Sequence, residues 1–169
     1  AFGVGVPVLA VDSLLAVAEE ARHSSFPAQP SAVVTAVLDA RMDELYSASY
    51  AWDAGQWTAL AGSALVAPER LARPQSLSSG MPTPWVLAGN VFAVYGQRVA
   101  AQDPSGATAV RITALPTASA MLRLAPQLLA HGGAVPAAHA LPSYIRDKVA
   151  KTTAERLAEK ATSQASAKC

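Results

Sequence analysis

"VVTAVLDARMDELYSASYAWDAGQW", residues 33–57, decides how the rest of the chain is read. Residues 32–40 form an unbroken β-rich run with a buried look. Residues 44–52 alternate, which puts Tyr46, Ala48, Tyr50 and Trp52 on one face and Leu45, Ser47 and Ser49 on the other. Asp53-Ala54-Gly55 is a turn with a glycine available for a left-handed position, and 56–62 returns as a third strand. This is a β-meander with an aromatic face that needs covering, and helices are the obvious cover.

Working outward, "VPVLAV" (6–11) reads as a short buried strand. Asp12 or Ser13 then caps a helix over 13–24, with Leu14, Leu15, Ala18 and Ala21 on one face and Glu19, Glu20 and Arg22 pointing away. Residues 26–30 are a loop punctuated by two prolines. Residues 67–73 read as a short helix with Pro68 in its first turn. A loop at 74–84 follows. Residues 85–100 read as a strand, a Gly89-Asn90 turn and a helix. Another loop (102–108), a strand (109–115) and a helix (117–131) containing Pro126 come next. A final strand is expected over 143–150. From Lys151 to Cys169 the chain turns to Lys, Glu, Ala and Ser, a polar tail without a large apolar face. Mixed strands and helices with one meander make the class α/β or α+β.

The bulk numbers narrow the function classes. Among 169 residues there are 13 basic and 12 acidic, a net charge of +1. That balance argues against a protein that grips nucleic acid by itself. Apolar residues make up 51%, but 38 of them are alanine, so the core must rest on Leu, Val and the aromatic positions. The single cysteine, Cys169, forms no internal disulfide, which fits a reducing cytosol. No apolar run approaches the roughly 18–20 residues of a membrane span. The chain opens without methionine or a polar lead-in, and the expectation is that an N-terminal part precedes it.

Asp39, Arg41, Asp43 and Glu44 are the densest cluster of charge. Two carboxylates in a cleft can split their pKa values and work as an acid/base pair. A turn between strands is also where polar residues collect, so turn closure and an Arg41 ion pair are the simpler reading. The three histidines, His23, His131 and His139, lack the one-turn spacing that points two rings at one metal ion. Histidine near a helix C-terminus is commonly a favourable dipole contact. "AGN" (88–90) follows a strand and opens a helix, so its amides could face an anion, although the turn needs its glycine for backbone reasons anyway. No Gly-x-Ser-x-Gly nucleophile motif occurs. Tyr46, Tyr50, Trp52 and Trp57 read as core, with a partner-binding face as the alternative.

Three stretches in register resemble a known family. "VPVLAVDSLLAVAEEA" (6–21) resembles its strand-helix unit. "LDARMDELYSASY" (38–50) resembles its Asp-Ala-Arg-x-x-Glu-x-Tyr hairpin, through Asp39, Ala40, Arg41, Glu44 and Tyr46. "LPSYIRDKVA" (141–150) resembles its Pro-x-Tyr-Leu-Arg strand, through Pro142, Tyr144, Ile145 and Arg146. The family is TsaB, also called YeaZ, of bacterial tRNA threonylcarbamoyladenosine biosynthesis.

The resemblance implies a glycoprotease-like lobe of the actin/Hsp70-type ATPase superfamily, with an RNase H-like fold. It implies a non-catalytic, cytoplasmic scaffold for a TsaD-like catalytic subunit, completed by a TsaE-like ATPase, acting on adenosine 37 of tRNAs that read ANN codons. It also implies a possible homodimer, contact with tRNA only through the complex, and no membrane. The His-x-x-x-His of the catalytic relative has no counterpart here. Neither does the family's opening strand or its Gly-Pro-Gly-Ser-Phe-Thr-Gly segment, so residues 1–150 are expected to be the second lobe and the returning C-terminal segment, with 151–169 a flexible tail. Asp39, Arg41 and Glu44 would then be structural; no catalytic, cofactor or metal residue is expected. A metal-dependent glycopeptidase or an ATPase of the same superfamily, and a protein-interaction module, are the competing readings.

Overall fold

The meander forms as its alternation predicts. The computed structural model describes residues 1–74, 84–99 and 109–146. Strands β2 (Ser31–Arg41), β3 (Glu44–Asp53) and β4 (Gln56–Val66) pair antiparallel, while β5 (Trp85–Gly89) and β6 (Val110–Thr113) add in parallel beyond β2. The sheet order is β4-β3-β2-β5-β6. All five residues of β5 are buried, as are most of β2, so neither strand has a solvated face. β5 reads as a continuous apolar run, and in β2 the buried Thr35 is satisfied by the Ser49 hydroxyl at 2.9 Å.

Each side of the sheet has its own helical cover. Helix α1 (Ser13–Ser25) and helix α3 (Ala118–Ala130) lie over Val34, Ala36, Ala48, Tyr50 and Trp57. Helix α2 (Phe92–Val99) and a 3-10 turn at Pro68–Arg70 cover Val33, Val37, Leu45 and Leu87. The aromatic face is spent on the core. Tyr50 and Trp57 are buried, with ring centroids 6.3 Å apart, and Trp52 lies 5.2 Å from Trp57 under the Arg22 guanidinium. Asp12 caps α1 by accepting the Leu14 N–H at 2.8 Å, and Thr117 caps α3 through the Ala120 N–H at 3.1 Å.

Several expectations need correction. Glu19 does not point away: it is 2% exposed, because α3 closes over that side of α1 and brings Arg123 to it. The strand over 6–11 shrinks to β1 (Val8–Leu9), paired antiparallel with an unforeseen β7 (Ala134–Val135). The helix over 67–73 is only the 3-10 turn at Pro68–Arg70. So short a segment cannot offset helix nucleation, and buried Leu71 leaves in an extended conformation. Residues 141–146 carry no strand; a side chain, Arg146, anchors them instead of a ladder. Most of the loop at 74–84, the loop at 102–108, residues 147–150 and the tail with Cys169 lie outside the described residues. No described helix is long and apolar enough to cross a membrane.

β4 is the outer strand beside β3, and it is irregular. Ser47 pairs with Ala64 and Ser49 with Ala61, while Tyr50 pairs with Ala59, so each interval holds one more residue on β4 than on β3. At the start of β4 the side-chain amide of Gln127 stands in for a neighbouring strand. It accepts the Trp57 N–H at 3.1 Å and donates to the Trp57 carbonyl at 2.8 Å. Gln127→Ala is expected to cost about 2 kcal/mol, because both main-chain groups lose their partner at once. An unchanged urea midpoint would contradict this.

Candidate functional site

The hairpin joining β2 to β3 turns through residues that are not glycine. Arg41, Met42 and Asp43 have φ of 65°, 55° and 59°, three left-handed residues in a row. A two-residue turn of this hand normally uses Asn-Gly, and each left-handed side-chain-bearing residue costs about 1–2 kcal/mol. The charged cluster offsets part of that cost. Asp39 accepts the Arg41 N–H at 2.8 Å and pairs with its guanidinium at 3.2 Å. The Arg41 side chain is 85% exposed, so that ion pair fixes geometry more than it adds stability.

The remaining carboxylates leave in different directions. Asp43 pairs with Arg98 at 2.9 Å on the α2 side, where Arg98 also binds Glu69. Glu44 pairs with Arg146 at 2.5 Å on the opposite side. Each acid is thus matched to its own cation, as turn closure requires, rather than to a second acid. The Arg41 ion pair read from the sequence is present. The partners Arg98 and Arg146 are 55 and 102 residues away, and nothing in local spacing points to them.

"AGN" is likewise committed to the sheet. A Cβ at Gly89 would sit 1.7 Å from the Val37 carbonyl oxygen, so the close approach of β5 to β2 demands glycine. The Asn90 side chain accepts the Asp39 N–H at 3.0 Å and stitches the two strand ends together. His23, His131 and His139 are exposed, and the His131 Nδ1 lies 2.8 Å from the Gln127 carbonyl at the end of α3. Among the described residues, no three His, Cys, Asp or Glu side chains come together as a metal-ligand set.

What does form a concavity is the region between the hairpin tip, the start of α1 and the 140–146 segment. A groove of about 950 Å³ opens there, with Val8, Asp12, Tyr46, Leu141, Tyr144 and Arg146 among its walls. Its size is at the upper end of ordinary ligand pockets, and its walls are more apolar than polar. Asp12 is already engaged by Leu14, by the Tyr50 hydroxyl at 2.9 Å and by Ser63 at 3.4 Å. Burial, followed by the Asp12 charge, pushes the Tyr50 hydroxyl well above its ordinary pKa, so it stays a neutral donor to that carboxylate. Met42, Leu141 and Tyr144 at the groove, and Val6 near β1, are all exposed. Exposed apolar side chains gathered at one groove are the kind of surface on which partners or ligands bind.

The chain is similar to known proteins over most of its length. Residues 1–154 match the family model described as TsaD, tRNA N6-adenosine threonylcarbamoyltransferase. The tRNA threonylcarbamoyladenosine biosynthesis protein TsaB of Escherichia coli K12 is 30% identical over 154 residues, covering 89% of this chain and 62% of that protein. The solved YeaZ of Pseudomonas aeruginosa is 34% identical with a TM-score of 0.64, over 82% of this chain and 58% of the other. A further solved structure is described as a protein with similarity to peptidase YeaZ from Pseudomonas aeruginosa. It is 33% identical with a TM-score of 0.66, over 83% of this chain and 59% of the other. The chain therefore spans about three-fifths of the length of these relatives. The mixed sheet with its flanking helices is the α/β arrangement of the actin-like ATPase fold.

Proposed function

The chain belongs to the TsaB/YeaZ family, and from that premise we propose that it serves as the non-catalytic partner of a TsaD-like subunit in cytoplasmic tRNA threonylcarbamoyladenosine synthesis. In this reading residues 1–150 form one lobe, and the groove receives the other, whether that lobe lies on the same polypeptide or is supplied separately. The exposed apolar side chains of Met42, Leu141 and Tyr144 lining a groove of about 950 Å³ carry the proposal. The β1–β7 ladder supports it, since two residues paired with two make too small a sheet to be stable alone. The engagement of Asp39, Asp43 and Glu44 by separate cations supports a role without acid/base chemistry. The paired TsaD-like subunit would carry the reaction, a TsaE-like ATPase would complete the assembly, and tRNA would be met through the complex. Any homodimer would form through the other lobe.

The test is reconstitution with TsaD, TsaE, a source of threonylcarbamoyl-adenylate and unmodified tRNA, with modified adenosine read by nucleoside mass spectrometry. This chain together with the complementary lobe is expected to support modification, and Tyr144→Asp with Leu141→Asp to abolish it. If the pair is inactive in a tube where Escherichia coli TsaB works, the proposal is wrong.

A further inference from the structure

Arg146 reaches the hairpin tip from a stretch, 141–146, that has no regular structure of its own. One terminal nitrogen of its guanidinium lies 3.1 Å from the Ala40 carbonyl, 3.4 Å from the Arg41 carbonyl and 2.5 Å from the Glu44 carboxylate. The other lies 3.0 Å from the Met42 sulfur. These acceptors surround the three left-handed residues, so one side chain ties together both ends of a turn that no glycine eases. We propose that Arg146 and the tip of the β2–β3 hairpin form a two-state latch. With the guanidinium seated, residues 41–43 keep their left-handed path. With it withdrawn, the tip relaxes and the 141–146 stretch is free to move.

Both states are within reach because the latched one is a compromise. It gains a charge-assisted bond to Glu44 and two carbonyl bonds. Against these stand three unfavourable backbone conformations and the buried Arg146 Nε, which has no hydrogen-bond partner among the described residues. Leu141 and Tyr144 are exposed, so little apolar burial holds that stretch in place. The tip is also held from the far side, where Asp43 meets Arg98 on α2. Loss of Arg146 therefore leaves the hairpin attached on one side, as a hinge would be.

The groove connects this latch to binding. Arg41, Met42, Tyr144 and Arg146 all line it, so anything filling the groove touches the fixed and moving parts together. An occupant with different affinity for the two states shifts the balance between them, and the tip passes that shift toward α2 through Arg98. The latch is a property of the chain's own residues and stands apart from the tRNA-modification reading.

Amide hydrogen exchange on the full chain tests it. The Arg41 amide, bonded to Asp39 in the latched state, reports on the tip, and the Val34 amide in mid-β2 reports on the sheet. Arg146→Gln is expected to speed exchange at 41–44 by roughly tenfold and leave Val34 unchanged. Adding Met42→Gly is expected to slow it again, since glycine takes the left-handed conformation without the steric cost that the clamp offsets. Exchange within twofold of the parent in Arg146→Gln overturns the latch. So does a double variant that exchanges as fast as Arg146→Gln alone. If Arg146→Gln does not fold, Arg146→Lys keeps a charge for Glu44 but forfeits the carbonyl bonds. Exchange between the parent rate and tenfold above it is then expected, and the parent rate counts against the latch.

Discussion

Glu19→Ala is expected to lower the unfolding free energy by roughly 3 kcal/mol, the low end of what breaking a buried ion pair costs. The Glu19 side chain is 3% exposed and receives four hydrogen bonds. Arg22 supplies two, at 2.8 and 2.9 Å; Trp57 Nε1 supplies one at 3.0 Å and Arg123 one at 2.9 Å. Alanine leaves the indole N–H unpaired in the core and two guanidinium groups without a shared counter-ion. Those arginines are 13% and 27% exposed and can recover some hydration, which sets the low end. Equilibrium urea unfolding measures the loss, and a change below 1 kcal/mol would contradict the prediction.

The same cluster fixes an acid limb. Burial alone would raise the Glu19 carboxyl, but the bonds from Arg22, Trp57 and Arg123 outweigh it and hold its pKa below the ordinary 4.5. Glu20 is also held below 4.5, by Thr117 at 2.7 Å and Arg123 at 2.6 Å. A carboxylate lowered by folding stabilises the protein above its unfolded value. That contribution is lost as pH falls through the folded one. Stability should therefore drop from about pH 4.5 downward. Glu19→Ala should flatten the drop; an equally steep acid limb in that variant would argue against the assignment.

Gly89→Ala is expected to cost more than about 4 kcal/mol or to prevent folding. Its Cβ would lie 1.7 Å from the Val37 oxygen and 2.8 Å from the Val37 carbonyl carbon. Val37 and Gly89 are paired in the parallel β2–β5 ladder at the middle of the sheet, so neither backbone can yield without breaking the register. Gly62→Ala on β4 is the control. Nothing lies within 4 Å of its new Cβ, and it should be close to neutral. Equal thermal stability of the two variants would refute the steric argument.

What the sequence made legible was set by local period. The meander faces, the Asp12 cap, the strand-turn-helix at 85–99 and the α3 helix all follow from spacing within a dozen residues. Their placement into one mixed sheet with two helical covers agrees with the expected α/β class. What escaped depended on distant partners. Glu19 looks like a solvent-facing helix residue until Arg123 arrives, 104 residues later. The β1–β7 pairing joins two-residue segments more than a hundred positions apart, too short to carry a period. Arg146 lies in a stretch that reads as a strand because its apolar neighbours suggest one. Its side-chain bonds to the hairpin supply the anchorage that a ladder otherwise would.

The irregular outer strand has a consequence for behaviour in concentrated solution. From Ala54 to Ala67 there is no charge and no proline to discourage another chain from pairing with β4. The extra residues opposite Ser47–Ser49 and Ser49–Tyr50 nonetheless put the outward row of donors and acceptors out of step, and Gln127 already occupies Trp57. A straight incoming strand would find only short matching stretches before its own groups fell against like groups. The strand is a poor template for fibril growth, and the protection comes from counting residues rather than from repelling charge.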